Sequence, residues 1–402
     1  MKQSVLIFGG GSNQSTLIKA SKTVGVESVV LDISPKAPSR HLADKFYVVK
    51  KDDYKQTLEI AKAHKISGLA TTQMENPLRL MAKLASELNL NFHSSDTIEK
   101  SLDKWEMKKA FIDGEVPCAQ GIIFNKDDII SCDSIQDLTF PLIMKPKDGT
   151  SSKGVFKLEQ FSEIQKNRNI TSSYSRNGEI ILEEFLEGKE LSVECVTYNN
   201  ETYIIQYTEK FITEFPCAVE MGHLQPANIN YSIKNEIDEV VKKAIKSVGI
   251  NNSVSHPEVI LTSDGPKVVE IGPRGGGDYI SSYLTFLSTG INLDEAIINL
   301  SLDNMPKISQ SKNQFSFIKY FSLPAGKKVV NVDDYSDIIV KEDVELCEIS
   351  VKSGDTIEQI SDSSKRSGFV LVKGESREGV LQKASEYVKL LLSKIDLKGE
   401  EL

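Results

Sequence analysis

The sequence predicts an α/β protein of two or three domains, and three observations lead there. Strand and helix signals alternate through the first ninety residues, short β runs broken by Gly, Pro and Asn follow, and a hairpin near residue 264 carries two facing carboxylates. Alternating β and α units imply a parallel sheet with helices on both faces. At 402 residues the chain exceeds one small core, and 40% apolar with 26% charged residues is an ordinary globular composition.

Taken in order, Ser4–Phe8 reads as a strand, Gly9–Asn13 as a glycine turn, Leu17–Val24 as a helix and Ser28–Asp32 as a second strand. Tyr54–His64 and Pro77–Leu88 read as helices on either side of a strand at Gly68–Thr72. FGGGSNQ followed by Asp32 invites a dinucleotide reading, but GxGxxG is incomplete because position 14 is Gln. A tight βα turn is the alternative. Lys104–Gly114 is helical in pattern, and strands follow at Leu142–Lys145, Ile180–Phe185, Leu191–Tyr198 and Thr202–Thr208. A helix at Glu236–Val248 precedes strands at Val254–Thr262 and Lys267–Ile271, and a last helix spans Arg377–Leu391.

The net charge of −9 excludes a nucleic-acid partner, because phosphate backbones select basic faces and no Lys/Arg stripe stands out. Five scattered cysteines without a CxxC pair suit a reducing compartment. MKQSVLIFGGG is too short an apolar run for a signal peptide, and no run approaches the ~18 residues of a membrane span. A cytoplasmic protein with no membrane partner is expected.

The most informative segment is HPEVILTSDGPKVVEIGPRGGGD, residues 256–278. Ser263-Asp264-Gly265 reads as a three-residue hairpin loop. A hairpin symmetric about Asp264 sets Glu258 opposite Glu270 and His256 opposite Gly272, all on one face by period-2 alternation. Val259, Leu261, Val269 and Ile271 then form the core face. Two opposed carboxylates repel unless both are solvated or a cation lies between them. Mg²⁺ suits such a pair, since it is held by one or two carboxylates together with substrate phosphates. Arg274 follows, able to grip phosphate or carboxylate with two parallel hydrogen bonds, and Gly275–Gly277 allow close backbone approach.

With its first Glu258 and its E(270)-I-G-P-R(274)-x-G-G-D run, this segment resembles the magnesium-binding motif of the ATP-grasp superfamily, most closely the carboxylate–amine ligases of the L-amino-acid (dipeptide) ligase type. The likeness extends over nearly the whole chain. It implies an ATP-grasp fold, α/β with an α+β lid. It also implies a Rossmann-like N-terminal domain at 1–95, an ATP-grasp domain at 96–311 with a lid at about 116–190, and a C-terminal rim module at 312–402.

The same resemblance assigns roles. Glu258 and Glu270 hold Mg²⁺ or Mn²⁺, and Arg274 and His223 are catalytic. Lys104 and Lys145 reach ATP phosphates, and the loop with Ser151, Ser152 and Gly154 closes over them. Glu183, Glu184, Phe185 and Leu186 meet the adenine, and Glu190 the ribose. Glu220-Met221-Gly222-His223, after a loop at Phe211–Pro216, resembles a substrate segment. Glu75, Glu220, Gly276 and Asp278 face the substrate. Where the superfamily usually has Asn as a third metal ligand, this chain has Gly272, with His256 opposite it in a packing or supporting role.

The reaction implied is amide formation from small-molecule carboxylate and amine substrates through an acyl phosphate, with ADP and phosphate released, and homodimers are common among such ligases. A biotin-carboxylase-like or other carboxylating or amidating enzyme, and a degenerate ATP-binding protein, are the alternatives. A nicotinamide dehydrogenase is the weakest rival.

Overall fold

The computed structural model describes residues 2–149, 152–215 and 217–398. The chain divides into two compact units, one formed by 1–118, 192–207 and 229–312, the other by 119–191, 208–228 and 313–402.

In the first unit, four parallel strands lie in the order Lys45–Val48, Glu27–Asp32, Ser4–Phe8, Gly68–Ala70. Alternation along each strand feeds two cores. Leu6, Phe8, Val29 and Leu31 pack with Met81, Leu84 and Ile98. Val5, Ile7 and Val30 face the other way, against Leu17, Ile18 and Ile298. Helices therefore cover both faces of the sheet, as the alternating signals predict. The glycine turn after Ser4–Phe8 is tied internally. Asp32 accepts from the Gly10 N–H and the Ser34 N–H, both at 2.7 Å, and buried Gln14 donates to the Thr72 carbonyl at 3.1 Å. Both Asp32 oxygens thus serve the turn, which supports the βα-turn reading over a dinucleotide site.

The same unit holds the carboxylate hairpin, Ser253–Thr262 paired with Gly265–Gly272. Helix Tyr231–Val248 packs on it through Ile237, Val241, Ala244, Ile245 and Val248, a one-faced stripe at helical spacing. His256 faces Gly272 and Glu258 faces Glu270, as the symmetric register requires. The turn half departs from that register. Thr262 pairs with Gly265, so Ser263 and Asp264 form a two-residue loop, closed by Gly265 at φ +103° where a side chain would be strained. A bulge between Glu258 and Val259 then makes up the missing residue: Val259 pairs with Val268, leaving Val269 over. The expected core residue Val269 is accordingly half-exposed, and Val268 takes its place at 1% exposure. Leu261, near the turn, is also only half-buried.

The second unit contains an antiparallel sheet in the order Gly121–Phe124, Ile180–Glu184, Leu142–Pro146, Phe156–Leu158. Helix Ser162–Ser173 lends Ile164 to its core of Leu142, Met144, Leu158, Ile180 and Leu182. Strands Glu220–Gln225, Phe315–Phe321, Gly368–Gly374 and Val344–Ile349 form a further antiparallel set. Helix Arg377–Leu392 covers it through Val380, Ala384 and Leu391. Phe211 and Ile212, expected in a loop, end the strand Glu201–Ile212, because they pair with Gly222 and Glu220.

One buried base in the first unit makes stability pH-dependent. His93 is 7% exposed, and burial pushes its imidazole down to about 4. A depressed folded value means the unfolded chain binds the proton more tightly. Stability is therefore full above pH ~6.5 and is lost as pH falls towards 4, by up to about 3 kcal/mol. Thermal unfolding from pH 7 to pH 4 should show this acid loss, and His93→Leu should flatten it; an equally steep loss in the variant refutes the assignment.

Candidate active site

Helix Lys104–Asp113 begins where it does because the Asp103 side chain accepts from the N–H groups of Trp105 and Glu106, at 3.0 and 3.1 Å. The cap places Lys104 in the first helical turn, where the helix dipole disfavours a cation. A carboxylate offsets this: Lys104 Nζ lies 2.7 Å from Glu270 Oε2. Burial alone would lower the Lys104 ammonium, but Glu270, with Glu75 and Glu258, raises it.

Arg274 folds back from the end of the second hairpin strand. It donates to Glu75 Oε1 at 2.6 Å and to the Gly275 carbonyl at 3.1 Å, and its buried Nε–H has no hydrogen-bond partner among the described residues. Burial alone would raise Glu75, yet Arg274 and Lys104 outweigh it and hold the carboxyl below its ordinary value. Arg274 also accounts for Gly272. A Cβ at that position would lie 3.2 Å from the guanidinium carbon, so the arginine occupies the space a side chain would need.

A third cluster joins the two. Glu194, fully buried on the strand beside Ser253–Thr262, accepts from His256 Nδ1 and, at 3.2 Å, from the Gly276 N–H. His256 Nε2 lies 3.6 Å from Glu258 Oε1. Burial would lower the imidazole, but Glu194 and then Glu258 raise it to about 9. Gly276 must be glycine here, since a Cβ would come within 2.6 Å of His256 Nδ1 and 2.8 Å of Glu194 Oε1. Asp278 and Tyr279 follow at φ +50° and +63°, so the loop leaves the glycines in a strained conformation.

The donor set suits a hard divalent cation. Glu258 and Glu270 share one hairpin face, each about a quarter exposed, and all their oxygens are of the type Mg²⁺ or Mn²⁺ takes. Four carboxylates (75, 194, 258 and 270) face the cations Lys104, Arg274 and His256, which leaves an excess of negative charge.

In the second unit the expected nucleotide residues fall into several local pairings. Lys145 and Glu183 lie on adjacent antiparallel strands, with Glu183 opposite Ile143, so the two side chains share a face and pair at 2.6 Å, both more than nine-tenths buried. The Glu184 side chain instead accepts from the Thr139 N–H at 3.1 Å. The Phe185 ring meets the Lys157 ammonium at 4.5 Å and the edge of Phe215, and Leu186 beside it is half-buried. Ser152 and Gly154 adopt φ +56° and +73°; Ser151 lies outside the described residues. Lys210, 2% exposed at its side chain, bonds both Glu190 and Glu220 at 2.6 Å. His223 is fully buried, 3.7 Å from Glu220 Oε2 and edge-on to Tyr320. Arg366 stacks 3.6 Å from the Tyr320 ring and donates to the Glu220 carbonyl at 3.1 Å.

Glu194, Lys210 and Arg366 escaped the sequence reading. The first two have a signal: each is a charge inside an otherwise strand-forming run, ELSVECV and YTEKFI, where it must be paired if buried. Arg366 has none, because Glu220 and Tyr320 lie far from it in sequence.

Two segments of the chain match known families. Residues 138–282 match the ATP-grasp domain family, and 319–395 match the family described as L-amino acid ligase C-terminal domain 2. The chain is 26% identical to a D-alanine–D-alanine ligase of Flavobacterium psychrophilum, over 46% of its own length and 57% of that enzyme's. It is 25% identical to an alanine–anticapsin ligase of Bacillus amyloliquefaciens, over 52% of its length and 48% of that protein's. The chain thus spans about half the length of these two relatives. Its fold matches the crystal structure of an L-amino acid ligase from Bacillus licheniformis with a TM-score of 0.82, 18% identity, and coverage of 100% and 99%. Residues 138–282 thus carry an ATP-grasp domain, and the C-terminal module at 319–395 is of the L-amino acid ligase type.

Proposed function

We propose that this chain is an ATP-dependent ligase that joins a small carboxylate to an amine. The observation that carries the reading is the hairpin pair Glu258/Glu270, gathered with Lys104, Arg274 and Glu75 in a chain whose residues 138–282 match the ATP-grasp domain family. The substrate carboxylate attacks the γ-phosphorus of ATP, giving an acyl phosphate and ADP, and the amine then displaces phosphate to leave an amide.

Phosphoryl transfer needs positioning and charge neutralisation more than covalent chemistry. Glu258 and Glu270 would hold Mg²⁺, or Mn²⁺ in its place, which would supply neutralisation of the phosphate charge. Lys104 sits in that cluster and supplies a cation beside it. Arg274 has an unused buried N–H and presents its guanidinium to the transferred group. Lys145 is the ammonium for the nucleotide phosphates, with Glu183, Phe185 and Glu190 around adenine and ribose. Glu220, held by Lys210, and His223 line the side where the amine is received. Among the described residues no helix is long and apolar enough to cross a membrane. A cytoplasmic enzyme, assembled as a homodimer, completes the reading.

A coupled assay of ADP and phosphate release over a panel of acids and amines should find a pair that gives an amide. ADP release that instead tracks bicarbonate and biotin identifies a carboxylase, and no release with any pair identifies a non-catalytic ATP-binding protein. Glu270→Ala should lower kcat/KM at least about 100-fold, since the ion supplies several kcal/mol of transition-state stabilisation; full activity in this variant refutes the metal assignment. Lys145→Ala should cost about 10²-fold in kcat/KM with folding intact, and a wild-type rate removes it from the phosphate site. Fluorescence titration should show ATP binding and none of NAD(P)H; the reverse order sinks the ligase reading.

A further inference from the structure

We infer that Glu194 and His256 form a positioning pair, which holds the metal carboxylate Glu258 and the glycine loop at Gly276 in one fixed relation. The inference rests on the reading of Glu258 and Glu270 as metal ligands and assigns a task to residues outside that set.

Glu194 is 0% exposed and lies in the middle of a strand, where a carboxylate survives only with its oxygens satisfied. Each oxygen has its own partner. One takes His256 Nδ1, and the other takes the Gly276 N–H at 3.2 Å. The bond at Nδ1 fixes the ring's orientation and turns Nε2 towards Glu258, 3.6 Å away. A ligating carboxylate that is itself held by a neighbouring side chain keeps its geometry as the ion arrives, and losing such a neighbour typically weakens metal binding.

Two further facts show that the arrangement is built around this pair. The Gly276 carbonyl accepts from Ser281 Oγ at 2.8 Å, so the residue is fastened through both its N–H and its carbonyl. A Cβ on Gly276 would collide with both members of the pair, whereas one on Gly277 would meet nothing within 4 Å. The glycine at 276 is therefore required by Glu194 and His256, while the one at 277 is open. Position 272, opposite His256, carries no side-chain oxygen to act as a third ligand, so the orientation of the two glutamates has to come from their surroundings. For Glu270 that neighbour is Lys104; for Glu258 it is His256.

The test is Mn²⁺ binding to the full-length protein with a non-hydrolysable ATP analogue, read by electron paramagnetic resonance, alongside metal-free nucleotide affinity and thermal stability. Glu194→Gln is nearly isosteric and keeps an acceptor for Gly276, but its amide cannot hold the ring as the carboxylate does. It should weaken Mn²⁺ binding roughly 10–100-fold, the usual cost of removing such a support, with metal-free nucleotide affinity unchanged. His256→Ala should do the same, and His256→Gln, whose amide can still donate to Glu194, should recover part of the loss. In turnover the defect should lie in the Mg²⁺ requirement, with kcat at saturating Mg²⁺ reduced less than the apparent metal affinity. Wild-type Mn²⁺ affinity in Glu194→Gln together with a loss in Glu270→Ala overturns the inference and leaves the metal reading standing. Wild-type affinity in Glu270→Ala overturns the metal reading itself.

Discussion

The crowding of Glu75, Glu194, Glu258 and Glu270 into one half-buried region is the constraint on which the site depends. Carboxylates brought this close while losing water repel one another and lose hydration, and either effect alone would favour protonation or unfolding. Their partners come from separate parts of the chain: Lys104 from a helix start, Arg274 from the loop after the hairpin, His256 from the neighbouring strand. The shifts that result point one way. Glu75 is held ionised, and Lys104, Arg274 and His256 are held protonated, so the cluster stays charged over a wide range around neutrality. A charged and partly desolvated set of groups is what a phosphoryl-transfer centre needs, because each interaction is stronger there than in water.

The stability of such a cluster comes from the elements beneath it. The Asp103 cap fixes where a helix begins and so where Lys104 emerges. The hairpin rests on the Tyr231–Val248 helix through an apolar face, leaving its acidic face for chemistry. These are local devices worth about 1 kcal/mol for a cap and 1.5–3 kcal/mol for each large buried apolar side chain. Such sums are modest beside the cost of misplacing a buried charge.

Much of this was legible in the sequence because it follows from short-range periodicity. Period-2 alternation around Asp264 brings Glu258 to Glu270 with no knowledge of the rest of the fold, and the strand–helix alternation of the first ninety residues yields a parallel sheet covered on both faces. The Glu194–Gly276 bond was not legible, since it joins a strand residue to a loop residue 82 positions away. Lys210 was hidden for a related reason: its charge inside YTEKFI signals a need for a partner if buried, but not that the partners are Glu190 and Glu220. The turn was misjudged by one residue. Its closing glycine suits a two-residue or a three-residue loop equally well, and hydrogen bonding across the strands decided the matter.

That misjudgement did not displace Glu258 from Glu270, and the bulge at Val269 explains why. The hairpin carries two phases, one set by the tip and one by the base, and the surplus valine is the joint between them. The tip is thereby insulated from the base. Changes in loop chemistry at Ser263–Asp264 leave the acidic pair facing each other. Loss of the single residue at 269 would remove the bulge and let the tip's phase run straight to the base, where it again sets Glu258 against Glu270. The surplus valine therefore bends and twists the hairpin at the joint without choosing which two acids meet.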